Sequence, residues 1–234
     1  MATAVVSQRK VRSDDIFFPA MALLILGVVV LGFAQTYFFA GMLHAKLPNA
    51  LVHIHGALFV SWIFFLVLQT SLVAARKVKW HMTLGIGGVI LPPLMLIFGV
   101  LTLFDSIRRN GTDVPPELLL VGDLDQLMLF AVLTSWALLA RRDAASHKRL
   151  MILGTIALLG PAINRWPIPI GPFGSICVLL ALPLLVVAYD FWSRHRIHRS
   201  TGIAYAIIAV GLLFGFPISR LGFWQQVIAW IHQT

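Results

Sequence analysis

Residues 51–85 read LVHIHGALFVSWIFFLVLQTSLVAARKVKWHMTLG. From Leu51 to Ala75 this stretch contains no lysine, arginine, aspartate or glutamate. A helix rises about 1.5 Å per residue, so a run of this length crosses the roughly 30 Å hydrocarbon core of a bilayer. Arg76, Lys77 and Lys79 then crowd into a short turn, and a second apolar run, 82–104, follows at once. An apolar segment, a basic turn and an apolar return describe a membrane hairpin.

Working outward, similar runs occupy 16–40, 118–140, 149–169, 171–192 and 202–219, which makes seven expected spans. The first is too long for a secretory signal and no small-residue cleavage pattern follows it, so it reads as a retained helix. The composition agrees. Of the 234 residues, 59% are hydrophobic and 12% charged, against about 45–50% and about 25% in soluble domains. That balance excludes a soluble globular enzyme and a disordered chain. A single cysteine, Cys177, excludes a disulfide framework and multi-cysteine metal sites. The expected fold is all-α: one integral membrane domain over 1–234, with one helix followed by three helical hairpins. Residues 220–234 form a short interfacial helix, with Phe223, Val227, Ile228 and Ile231 on one face.

The formal charge of +9 sorts by loop. Arg9, Lys10 and Arg12 precede the first span. Arg141, Arg142, Lys148 and Arg149 separate spans four and five, and Arg194, Arg196 and Arg199 separate six and seven. With the 76–79 turn these hold 13 of the 18 basic residues, all on alternate loops. The opposite loops, which include the long segment 105–117, are neutral in sum. The positive-inside rule then places the N-terminus in the cytoplasm and the C-terminus outside, in a bacterial inner membrane. Trp80 and Trp192 fall at the basic boundary and Trp166, Trp224 and Trp230 at the other, as aromatic belts do. The partner implied by the charge is anionic lipid, not nucleic acid. A homo-oligomer or a larger membrane complex is compatible with this reading.

Ionisable groups inside hydrocarbon are costly and point to function. Two zones hold them. In the outer zone, His53 and His55 open span two, GDLDQ brings Asp123 and Asp125 into span four, and INRWP brings Asn164 and Arg165 to the end of span five. His44 and Glu117 flank this zone in loops. Histidine plus carboxylate suits a divalent metal at His53, His55, Asp123 and Asp125, or a proton relay. The structural alternative is a polar cap in which Asp123 or Asp125 neutralises Arg165. His55, Trp62 and Gln69 recur at seven-residue intervals and share one helix face, so a path from Asn164 and Arg165 past Trp62 to Gln69 would suit a small proton-coupled permease.

In the inner zone a histidine stands just before each returning helix: His81 in HMTLG, His147 in HKRLM and His198 in HRSTG. A neutral histidine at a helix start is able to ligate. Two facing ones would hold haem iron, with Arg149 or Arg199 toward its propionates, and three would hold a divalent metal such as zinc. The alternative is that each is a wet capping residue of its turn. HExxH, GxSxG, Walker and Rossmann motifs are absent. The leading expectation is therefore a redox or cofactor-binding membrane protein, with a permease or a non-catalytic subunit of a larger complex as alternatives.

The pattern His55-Gly56, Trp62, Gln69, Leu72-Val73, Arg76, His81, Leu84-Gly85, with His147-Lys148-Arg149-Leu150-Met151 downstream, resembles a family of bacterial polytopic membrane proteins of no settled function. The likeness covers 51–166 and implies no activity. The histidine segment is also similar to that of the di-haem, ascorbate-reducible b-type cytochromes, which carry histidine pairs on facing helices at both membrane depths. Here the outer half has His53 and His55 on one helix and no intramembrane histidine opposite, so that resemblance implies an inner haem alone. Zinc-dependent seven-span hydrolases of the adiponectin-receptor type share the topology, but their Ser-x3-His and His-x3-His elements are missing.

Overall fold

The computed structural model describes residues 12–39, 49–109, 114–168 and 170–233. His44, Lys46, Asp113, Arg9 and Lys10 lie outside the described residues. The described chain is helical: α1 Ser13–Phe33, α2 Ala50–Ala74, α3 Val78–Leu84, α4 Gly87–Arg108, α5 Pro116–Leu139, α6 Ala144–Ala157, α7 Gly160–Ile163, α8 Gly171–Arg194, α9 Arg199–Ser219 and α10 Phe223–Gln233. A five-residue π-helical stretch, Ala34–Phe38, continues α1. Six segments are long and apolar enough to cross a membrane: Ser13–Phe38, Ala50–Ala74, Val78–Arg108, Pro116–Leu139, Gly171–Arg194 and Arg199–Ser219. Their outer faces carry large apolar side chains such as Phe64, Met128 and Phe214. Lipid is the solvent that such a surface suits.

The expected fifth span, 149–169, is not one helix. α6 has 14 residues and a rise of about 21 Å, too short to span hydrocarbon alone. Every residue from Arg149 to Ala157 is buried, because α1, α5, α8 and α9 surround the helix. The ladder breaks at Leu158–Leu159, ahead of Gly160 and Pro161. Pro161 brings no N–H, and the Gly160 N–H is captured by Gln126 Oε1 of α5 at 2.9 Å. A side chain at Gly160 has no room: an added Cβ would sit 2.4 Å from that oxygen. The one-turn α7 then redirects the chain toward Asn164 and Arg165.

Contacts between elements sort into two ends that match the alternate loops. At one end Arg76 pairs with Asp15 at 2.7 Å, and Lys148 with Asp14 at 2.5 Å. At the other, Tyr37 Oη and His53 Nδ1 share a hydrogen bond at 2.9 Å, and Asn49 Nδ2 donates to Asp105 at 3.1 Å. The described basic residues of the four expected inner loops thus gather at the first end, called here the basic end. Two of its turns use left-handed residues, Arg76 (φ 61°) and His195 (φ 53°), to reverse the chain after α2 and α8. Helices starting there are capped locally. Asp143 Oδ1 accepts from Ala145 N at 3.0 Å, and His198 Nδ1 from Ser200 N at 3.3 Å.

The tail forms the expected amphipathic helix. Ile231 of α10 is buried with Leu103, Ile107 and Leu120, and Trp224, Val227 and Ile228 pack against them. Phe223 is instead exposed. α10 therefore lies across the far ends of α4 and α5, with Arg108 Nε donating to the Ile231 carbonyl at 3.0 Å.

Candidate functional site

The basic end carries two polar assemblies. The first is centred on Asp190, in the last turn but one of α8. Its carboxylate accepts from Arg149 Nε at 2.8 Å and from Arg149 Nη2, from Thr201 Oγ1 at 2.6 Å, and from the His198 backbone N–H at 3.1 Å. The side chains of Arg149 and Asp190 are 1% and 0% exposed. Arg149 Nη1 donates to the Ala145 carbonyl at 2.9 Å. A buried ion pair survives desolvation only when its remaining hydrogen-bonding groups are also satisfied, and these are. Arg149 is therefore the pin of α6 against α8 and α9, not the free cation expected to meet a propionate. The adjoining group ties α1 in: Asp14 accepts from Lys148 and from Tyr189 Oη at 2.7 Å, while Phe17 stacks on Tyr189 at 3.8 Å.

The second assembly holds two of the three turn histidines. His81 of α3 and His147 of α6 lie with ring centres 6.3 Å apart and planes crossed at 78°. His147 Nδ1 bonds the Ala137 main-chain carbonyl at 2.8 Å. His81 Nδ1 is buried and has no hydrogen-bond partner. The Gln69 side chain is buried as well, with Oε1 and Nε2 both unpartnered. Buried polar atoms without partners are rare and call for an explanation.

His198 does not join this pair. As the cap of α9, its Nδ1 bonds the Ser200 hydroxyl at 2.7 Å. Burial and the charges of Arg149 and Arg194 hold its imidazole below the usual histidine range, against the pull of Asp190 and Asp143. Arg199 is exposed at the start of α9. The expectation of three equivalent histidines thus becomes a pair and a cap.

At the far end the four expected metal ligands are spread out. His53 is bonded to Tyr37. Asp125 packs against the backbone of Gly211 on α9. Among the described residues no group of three or more His, Cys, Asp or Glu is placed to hold a metal ion. His55 stacks on Phe59 with ring centres 4.1 Å apart and leaves Nδ1 buried without a partner. Arg165 is within electrostatic reach of both His55 and Asp123. The expected neutralising contact does not form: among the described residues no ion pair within 4 Å joins Arg165 to Asp123 or Asp125. Arg165 Nη1 donates to the Pro161 carbonyl at 2.7 Å, and the guanidinium covers the Phe33 ring at 5.1 Å. Asn164 is exposed beside it.

Between the two ends the interior is packed. Trp62, Phe130, Leu133 and Ile152 are fully buried in one cluster. Trp62 Nε1 donates to Thr155 Oγ1 at 3.1 Å, which itself donates to the Met151 carbonyl at 2.8 Å. Of the stripe expected to form a path, Trp62 is thus a plug and Gln69 belongs to the basic end.

Sequence reading missed Asp190, Thr201, Asp14 and Tyr189. Asp190 had a usable signal: it lies in the same turn region as Phe191 and Trp192, inside the apolar run. No protein-family model, curated protein or solved structure matches the chain.

Proposed function

We propose that the chain is a multi-pass protein of a bacterial inner membrane that binds a redox cofactor, haem iron, between His81 and His147. The observation that supports this reading is the pairing of those two imidazoles. Two imidazoles with a free nitrogen each would hold haem iron between them, and the iron would supply one-electron chemistry there. The ring centres of His81 and His147 lie 6.3 Å apart. Ligating histidines almost always donate their other N–H to a carbonyl or carboxylate, which fixes the tautomer and ring orientation. Ala137 supplies such a carbonyl to His147, and His81 Nδ1 is buried without a partner, so each ring has a nitrogen left for a metal.

The basic loops support a cytoplasmic location for this end and for the N-terminus. The packed centre around Trp62 weighs against a continuous path for a transported solute. The test is the visible spectrum, with metal analysis, of protein purified in detergent from cells supplied with a haem precursor. A Soret band with stoichiometric iron is expected. Colourless protein without stoichiometric iron overturns the proposal.

A further inference from the structure

Asp125 of α5 stands apart from the histidine pair. We propose that it is a proton-binding site inside the bilayer, a carboxyl carried as the neutral acid where α5 packs on α9 and reached from the far end.

Depth is the first observation. Asp125 lies nine residues past Pro116 at the start of α5, and Gly211, which it touches, lies eight residues before Ser219 at the end of α9. At about 1.5 Å per residue, both counts place the carboxyl roughly 12–13 Å inside the far ends of two helices of membrane length. The second observation is the contact itself. A Cβ built on Gly211 would sit 2.9 and 3.0 Å from the two carboxyl oxygens of Asp125 and 3.1 Å from Leu129 Cδ1. Both oxygens thus rest on a helix backbone whose N–H groups are turned into its own ladder. Leu129 and Ile208 are buried next to this contact in sequence and belong to the apolar core.

The third observation is the lack of a counter-charge. Among the described residues no hydrogen bond and no ion pair engages the Asp125 carboxyl. The titratable groups on the helices packed against α5 sit near helix ends: Asp105 and Arg108 on α4, His147, Lys148 and Arg149 on α6, His232 on α10 and Arg199 on α9. Tyr205 of α9 is six residues before Gly211, about 9 Å toward the basic end. On α5 itself, Glu117 is in the first turn and Asp123 is about 200° round the helix. Beyond the helix ends, Arg165 is bonded to the Pro161 carbonyl and Arg220 covers the Phe216 ring. A bare carboxylate at this depth has neither water nor a cation to stabilise it, and taking up a proton removes the cost.

The fourth observation is an approach. Gly122 is one turn from Asp125 on the same face of α5, and Gly215 is one turn beyond Gly211 on α9. The two helices run in opposite directions, so both glycines lie on the far-end side of the carboxyl. A Cβ built on either would meet no atom within 4 Å. Asp125 itself keeps some accessible surface.

The test uses full-length protein in phospholipid nanodiscs and the apolar reagent dicyclohexylcarbodiimide, which reacts with a carboxylic acid rather than a carboxylate. The acid's proton passes to one carbodiimide nitrogen and its oxygen bonds to the central carbon. The O-acylisourea then rearranges to a stable N-acylurea, and no atom is lost. Fragment mass spectra are expected to place the adduct on Asp125 at neutral pH. Its yield is expected to fall about tenfold per pH unit once the acid ionises. The infrared difference between the parent and Asp125→Asn at neutral pH is expected to contain the carbonyl band of a protonated carboxyl. After a pH step that band is expected to respond several-fold more slowly in Gly215→Leu, which fills the approach. A carboxylate band in its place, or no adduct on Asp125, overturns the proposal. So does an adduct suppressed at fixed pH by sodium chloride but not by choline chloride, because the ligand is then a metal cation. An unchanged rate in Gly215→Leu overturns the route from the far end.

Discussion

Arg149 of α6 and Asp190 of α8 form a fully buried ion pair at the basic end, and every hydrogen bond around it ties one helix to another or to its own turn. Removing either partner leaves the other charge alone in a place without water, which costs about 3–5 kcal/mol. Arg149→Leu and Asp190→Leu should each lower the detergent unfolding midpoint strongly. The double variant should recover most of the loss, as apolar replacement of a whole buried pair often does. A double variant as unstable as the sum of the singles would show that the pair is not a closed unit.

Gly32 sets how closely α1 approaches α7. A Cβ there would sit 2.1 Å from the Ala162 carbonyl oxygen, which belongs to backbone and cannot swing aside. Gly32→Ala should destabilise by about 1–3 kcal/mol, the usual range for overpacking. Gly27→Ala, one and a half turns earlier with nothing within 4 Å, should be neutral or mildly stabilising. Chemical unfolding of the two variants side by side checks this, and equal effects would contradict the close approach.

Asp143 caps α6 and is the simplest pH probe. The Ser146 hydroxyl at 2.6 Å, with the N–H groups of Ser146 and Ala145, holds its carboxyl below the usual carboxylate range. A lowered folded-state pKa means that the cap contributes fully above the unfolded value near 3.9 and fades as pH falls through the folded one. Asp143→Ala should therefore cost about 1 kcal/mol at neutral pH. The difference from the parent should shrink below pH ~4. A difference constant from neutral pH to below pH ~3 would exclude the ionised cap as its source.

The proposed orientation rests on the basic loops. Reporter fusions after Arg142 should give cytoplasmic signals, and fusions within 110–113 periplasmic ones. The reverse pattern would place both candidate sites in the opposite compartments.

The six long helices were legible because an apolar run of bilayer length has few other uses. The fifth span was not, because hydropathy cannot tell a helix facing lipid from one wrapped by protein. The sequence TIALLGPAINRWP is apolar through Gly160-Pro161, and only that dipeptide marks the break. The likeness of the basic turns pointed to His81, His147 and His198, but spacing along the chain could not separate the two that meet from the one that caps α9. Asp190 stands four residues before Arg194, so by spacing alone it reads as one more charge of the basic boundary. Attraction between Arg165 and Asp123 was foreseeable from sign alone. That they stay apart depends on Pro161 and Phe33, which only the fold brings into place.

The most direct measurement compares visible spectra of the parent protein, His81→Ala, His147→Ala and His198→Ala, each purified in the same detergent and matched for helix content by circular dichroism. A Soret band is expected in the parent and in His198→Ala, with loss of the band in His81→Ala and in His147→Ala. A band that survives both of those substitutions, or one lost only in His198→Ala, would contradict ligation by His81 and His147.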